Sequence, residues 1–293
     1  MPRMKNFCTV AILFPLLVFI NQVNADPIIG VSARTQFFQG SALRSFVEVS
    51  REASGGQELH VIQAPIIFGY NPLTDMVVNV VVPYVNKEFK DQTGKRFGAS
   101  GVADISISGK YRFYREDVPR GSTQFAVLGG LELPTGDTTK RKDGIRLPRP
   151  LQLGSGGVDP SVGIAASWIS AFHSLDGGVQ FKYNARHSGF RFGTVTRYDL
   201  SYAYGTYPKW PVENAQLSFL LELNGEHRER NLSGSNKVRA SGGDTIFLSP
   251  GIQYIFLDNV LVEASFQYPI IDRVNSQQLN QDYRFLLGFR VAF

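Results

Sequence analysis

The residues of this chain best suited to chemistry are four histidines, His60, His173, His187 and His227. Two of them stand in polar stretches beside a hydroxyl or an acid: His187 precedes Ser188, and His227 follows Glu226 and lies near Glu229. An imidazole that takes a proton from serine, oriented by a carboxylate, is the core of a hydrolytic site. The spacing takes that idea no further. No histidines have the H-E-x-x-H separation that sets two imidazoles around zinc, and no G-x-S-x-G turn presents a serine nucleophile. The glycine-rich stretch Gly154 to Gly157 lacks a P-loop lysine and a following helix, so it reads as a loop hinge and not as a phosphate cradle. No cofactor and no metal site are expected.

A second group of reactive side chains recurs in a different way. Asp104, Lys110, Arg112, Glu132, Lys182, Glu222, Glu263, Arg284 and Arg290 each sit inside a segment whose apolar residues occupy alternate positions. In the C-terminal segment Tyr283, Phe285, Leu287, Phe289, Val291 and Phe293 fall on one face, and Arg284, Leu286, Gly288, Arg290 and Ala292 on the other. A period of two is that of a β-strand. Leu217, Phe219, Leu221 and Leu223 likewise oppose Gln216, Ser218, Glu222 and Asn224, and Val260, Val262, Ala264, Phe266 and Tyr268 oppose Glu263, Ser265 and Gln267. If the apolar faces meet lipid, the charged faces line a lumen. Charges of both signs there make either a polar, selective pore or a salt-bridge network that fills a narrow interior.

The elements that must position these residues begin with an exported leader. Arg3 and Lys5 precede an apolar run, Val10 to Ile20, and Val23-Asn24-Ala25 supplies a small-residue cleavage site. This is the pattern of a signal peptide, and the run is about half the roughly 20 residues of a membrane-spanning helix. Residues 1–25 are therefore expected to leave, with Asp26 as the mature N-terminus. The one cysteine, Cys8, leaves with them, which removes disulfides, thiol nucleophiles and cysteine metal sites. The formal charge of +5 falls to +3 without Arg3 and Lys5, and no basic stripe remains to hold nucleic acid.

Twelve strands are predicted, near 43–51, 58–70, 75–85, 102–114, 122–133, 158–170, 175–185, 194–206, 214–225, 243–256, 259–269 and 281–293. The connections alternate in length. Asn71 to Thr74, Arg115 to Gly121, a turn near Ser174, Tyr207 to Glu213 and Leu257-Asp258 are short, whereas Asn86 to Gly101, Pro134 to Gly157, Asn184 to Gly193, Glu226 to Gly242 and Ile270 to Asn280 are longer and more polar; Glu52 to Gln57 is a short exception. Bacterial outer-membrane barrels have this alternation and a soluble sandwich has no reason for it. The mean hydropathy of −0.09 suits a barrel too, because only alternate residues of each strand face lipid. Tyr70, Tyr84, Tyr111, Phe113, Tyr254, Phe256 and Tyr268 fall at strand ends, as in interfacial aromatic girdles. The fold class is all-β: a transmembrane antiparallel β-barrel of about 12 strands. Residues 43–293 form the barrel, and residues 26–42, with Phe37 and Phe38, a periplasmic extension or an inward-folded plug. A chain ending on Phe293, with Val291 and Phe289 at alternate positions before it, resembles the signal read by barrel assembly machinery.

Three stretches resemble an outer-membrane family named for the meta-pathway of phenol degradation: Gly101-Val102-Ala103-Asp104-Ile105-Ser106-Ile107-Ser108-Gly109-Lys110-Tyr111-Arg112, then Leu133-Pro134-Thr135-Gly136-Asp137, then Leu153-Gly154-Ser155-Gly156-Gly157-Val158-Asp159. The resemblance implies a barrel that passes hydrophobic or aromatic compounds, and it brings no substrate residues with it. Pro134 and Gly136 read physically as a strand exit and a turn.

The function expected from the sequence is a monomeric outer-membrane channel for small, apolar or aromatic solutes, in contact with lipid and lipopolysaccharide. Lys87, Lys90, Lys95 and Arg96 are placed where they can meet anionic lipopolysaccharide or stand solvated. Two alternatives remain open: an outer-membrane lipid hydrolase or acyltransferase, and a closed structural or surface-binding barrel.

Overall fold

The computed structural model describes residues 25–35, 40–206, 215–257, 259–276 and 278–293. The features of the leader up to Asn24, Phe37 and Phe38, the turn at 207–213 and Asp258 lie outside the described residues.

Alternation gives strands, and the barrel strands are β1 (Ser41–Ser54), β2 (Gln57–Leu73), β3 (Met76–Lys90), β4 (Arg96–Val102, continued as Ile105–Val118), β5 (Gly121–Leu133), β6 (Asp159–Ser170), β7 (His173–Lys182), β8 (Val195–Gly205), β9 (Gln216–Arg228), β10 (Gly243–Leu257), β11 (Val260–Val274) and β12 (Asn280–Ala292). Each pairs antiparallel with the next, and β12 returns to β1 from Ala42↔Ala292 to Ala53↔Asn280, so the sheet closes on itself. Both pieces of β4 pair with β3, on either side of Ala103 and Asp104. Closure leaves no sheet edge, the condition for strands to cross hydrocarbon.

The apolar faces point out. On β12, Leu286 is 1% exposed whereas its neighbour Leu287 is 57% exposed. Tyr70, Tyr111, Phe113 and Tyr268 are also exposed on the outer surface. The inner face carries Ser201, Glu222, Ser249, Gln253, Glu263 and Gln267, all buried. A soluble sandwich buries the opposite set. Among the described residues no helix is long and apolar enough to cross a membrane.

The two rims differ. At one rim Ser41 and Phe293 exchange backbone hydrogen bonds of 2.9 Å, and the connections, such as Thr74-Asp75, Pro119-Arg120 and Ala171-Phe172, are tight. The opposite rim carries the long loops 134–158, 183–194 and 229–242, beside the short turn at Gly55 and Gly56, whose φ values of +56° and +82° need glycine. Three expected loops are partly strand: β3 runs to Lys90 and β4 starts at Arg96, β9 runs to Arg228, and β11 to Val274. The ladder needs only backbone groups, so pairing continues past the apolar belt, where charges such as Glu88 and Arg96 pair at 2.7 Å. The aromatic pair Phe89 and Phe97, 6.5 Å apart, supports the projecting hairpin.

Candidate functional site: the barrel interior

The interior is organised around residues 25–35, which turn into the bore at the rim of tight turns. Glu222 of β9 is fully buried, and its carboxylate accepts the N–H groups of Ile28 at 2.8 Å, Ile29 at 3.3 Å and Gly30 at 2.8 Å. Asp199 of β8 accepts the Val31 N–H at 3.1 Å, and Ser167 of β6 accepts that of Ala33 at 2.8 Å. Gln253 of β10 clasps Asp26, accepting its N–H at 3.3 Å and donating to its carbonyl at 2.8 Å. Arg34 reaches Asp176 of β7 at 2.7 Å, and Arg44 of β1 bonds both the Ile28 carbonyl, at 2.7 Å, and Glu263, at 2.6 Å. A segment with no partner strand thus has main-chain groups along its length bonded to wall side chains, as burial favours.

Apolar contacts complete the fit. Ile28 packs with Ala203, Leu220 and Leu286, flanked by Phe46, while Val31 and Ala33 meet Ala126, Ala165 and Leu128. Two glycines make room for it. A Cβ at Gly178 would collide with Val31 Cγ2, and one at Gly251 with Ile28 Cδ1.

The nine charged residues singled out from the sequence occupy several distinct places. Lys110 donates to the Ser32 carbonyl at 3.1 Å, Arg290 lies 3.7 Å from Asp26, and with Glu222 and Glu263 they surround the N-terminal segment. Arg112 braces the turn rim, binding Asp75 at 2.6 Å and Gln124 at 3.0 Å. Glu132 and Lys182 pair at 2.7 Å nearer the loop rim. Arg284 lies over the Phe247 ring, 4.5 Å from its centroid. Asp104, in the break of β4, accepts the N–H of Gly136 at 2.8 Å and that of Ser155 at 2.6 Å, which makes it an anchor for loop 134–158. Phe289, Val291 and Phe293 face outward along the seam with β1.

Sequence reasoning missed Asp26, Arg34, Arg44, Asp176 and Asp199. Asp176 and Asp199 lay within reach of it, because each interrupts an apolar strand at the inward register and the two strands pair beside one another. Asp26 and Arg34 carried no periodic signal.

Loop 134–158 folds over the other end. Leu147, Leu151 and Leu153 are buried with Ala99 against Leu59, Phe89 and Phe97, and Lys87 donates to the carbonyls of Pro150 at 2.9 Å and Gln152 at 2.7 Å. Asp137 opens the loop. Its carboxylate accepts the Thr139 N–H and hydroxyl, both at 2.7 Å, and these hydrogen bonds hold it below the usual carboxylate range.

Two adjoining cavities remain between these fillings. The first, of about 290 Å³, is bordered by Asp26, Arg44, Lys110 and Arg290; the second, of about 230 Å³, by Glu132, Asp159, Lys182 and Arg197. Ser108, Ser161 and Gln180 line both, so the spaces abut. The histidines lie elsewhere. His227 Nδ1 meets Asp244 at 2.6 Å at the loop rim, where both are half exposed, and His173 Nδ1 meets the Tyr202 hydroxyl at 2.7 Å. Among the described residues no group of His, Cys, Asp and Glu could hold a metal ion.

A closed antiparallel barrel with an apolar exterior and a charged, partly filled bore defines an outer-membrane β-barrel protein. The sequence matches the family described as "Putative MetA-pathway of phenol degradation" over residues 36–281, and the chain belongs to that family. Among solved structures it is similar to an outer membrane channel from Pseudomonas putida F1, with a TM-score of 0.70, 12% identity, and 92% of this chain and 100% of that one covered. The beta domain of a Bordetella autotransporter gives a TM-score of 0.51 at 11% identity, covering 88% of this chain and 100% of that one. At such identities the likeness is one of fold. No curated protein sequence matches the chain.

Proposed function

We propose that this protein is a monomeric outer-membrane channel for the passive uptake of small solutes with apolar or aromatic bodies, and that residues 26–35 plug it. The observation that carries this reading is the cavity beside the N-terminal segment, which abuts a second cavity bordered by Glu132, Asp159 and Lys182. Twelve strands enclose more space than an eight-stranded barrel, whose side chains fill it, and less than the open 16–18-stranded porins. A restricted path closed by a removable segment suits that width. The described fold of the neighbour from Pseudomonas putida and the family's description agree with a channel and with aromatic cargo. The rim of tight turns, where the barrel's two chain ends meet, is periplasmic in this reading, and the loop rim contacts lipopolysaccharide. The outward aromatic strand ending at Phe293 is read by the assembly machinery, so deletion of Phe293 is expected to lower membrane insertion while export continues.

The protein is not an enzyme in this reading. Glu226, the acid beside His227 in sequence, pairs with Arg197 and Arg228 and does not orient that imidazole, whose Nδ1 meets Asp244 instead. Planar-bilayer recording of the refolded protein, with solute flux into liposomes, tests the channel. Step conductances and flux are expected; complete absence of both would refute it.

A further inference from the structure

The cavity beside Asp26 has a charge pattern of its own. Its ionisable lining is Arg44, Lys110 and Arg290 against the single acid Asp26. Arg44 is already bound, to Glu263 and to the Ile28 carbonyl. The other two cations are less engaged. Lys110 donates to the Ser32 carbonyl, and Arg290, 5% exposed, approaches Asp26 only at 3.7 Å while its Nε has no hydrogen-bond partner among the described residues. Nearby Arg34 likewise leaves Nε and Nη1 without partners, although its other nitrogen holds Asp176. A buried guanidinium donor without an acceptor is costly, and such groups call for an acceptor that comes from elsewhere. The rest of the wall is apolar: Ile67, Val77, Val81 and Leu128 border the same space.

We propose that this cavity is a binding subsite for a small organic anion, with a carboxylate held by Lys110 and Arg290 and an apolar body, about the size of one ring, against Val77, Val81 and Leu128. The proposal rests on the channel reading above and names the substrate class of that path. The volume of about 290 Å³ is at the small end of ligand pockets, which suits a single ring and not a larger solute. Guanidinium and ammonium donors bind a carboxylate through charge-assisted hydrogen bonds, stronger than those available to a neutral amide. Asp26 is then an internal competitor, a tethered carboxylate facing the same cations, and an incoming anion loosens the N-terminal segment as it binds.

Calorimetric titration of the refolded full-length barrel with benzoate, its neutral isostere benzamide and acetate tests this directly. Benzoate is expected to bind at least about tenfold more tightly than benzamide or acetate, because it alone has both charge and ring. Lys110→Met is expected to remove that preference and leave benzamide binding unchanged. Asp26→Asn is expected to tighten benzoate binding, and it lies outside the barrel strands, so it tests the site even if Lys110→Met fails to fold. Equal affinity for benzoate and benzamide, or benzoate binding insensitive to both substitutions, overturns the subsite whether or not the protein conducts. Anion-selective binding by a preparation that passes no current supports the subsite and overturns the channel reading.

Discussion

The inner faces of β8–β12 and β2–β5 look into one bore and treat it in opposite ways. The first presents Asp199, Leu220, Glu222, Gln253, Glu263 and Leu286, and residues 26–31 are seated against it. The second presents short or slim groups, including Gly69, Val77, Ser108, Gly109 and Gly129, and there the cavity begins. Both faces alternate polar with apolar, so alternation alone does not tell an occupied wall from an open one. The distinction lies in what the polar atoms bind. Glu222 gives its oxygens to three main-chain N–H groups, which makes it structural, whereas Lys110, on β4, gives one hydrogen bond to the Ser32 carbonyl and borders the cavity.

Removing the segment should have the largest effect on this contrast. Deletion of residues 26–35 is expected to raise single-channel conductance severalfold in planar bilayers; an unchanged conductance would mean that both walls are equally closed by something else. Glu222→Ala comes next, because it takes away the acceptor of three N–H groups, and hydrogen bonds to a charged group are worth roughly 1.5–3 kcal/mol each. Hydrogen exchange at residues 28–31 should accelerate by tens of times, with only partial acceleration in Glu222→Gln; equal protection in all three proteins would remove Glu222 from the latch. Gly251→Val overpacks the niche under Ile28, at a cost of about 1–3 kcal/mol. Faster proteolysis of the N-terminal segment with unaltered heat-modifiable gel migration is expected, and intact protection would show that the niche is not tight. Lys182→Met, at the second cavity, should do least. It breaks a partly buried pair with Glu132, worth about 0–1 kcal/mol, and is expected to shift the reversal potential toward cations without changing the melting behaviour.

The barrel itself was readable because lipid and lumen impose opposite demands on successive residues. Leu286 and Leu287 show why even that signal needs a frame: identical side chains, one buried and one facing lipid, distinguished only by register. Strand ends beyond the apolar belt, such as Asn86–Lys90 and Arg96–Ala99, were read as loop because their polar side chains carry no lipid signal, while their pairing depends on backbone alone. Loop 134–158 was legible as an exit at Pro134, but its inward fold depends on Asp104, distant in sequence. The site was least legible. Lys110, Glu222, Glu263 and Arg290 could be placed on an inward face, yet their partners Asp26, Ile28 and Arg44 belong to the other end of the chain, and no local pattern links them.

That separation also orders events in time. Ile28 and Glu222 stand 194 residues apart in the chain, and Asp26 and Gln253 stand 227 apart. Contacts of such span carry a large loop-closure cost, so they form only after β9 and β10 are already aligned. Residues 26–35 are thus expected to be the last piece to settle when the protein matures, because the wall that receives them has to be assembled first.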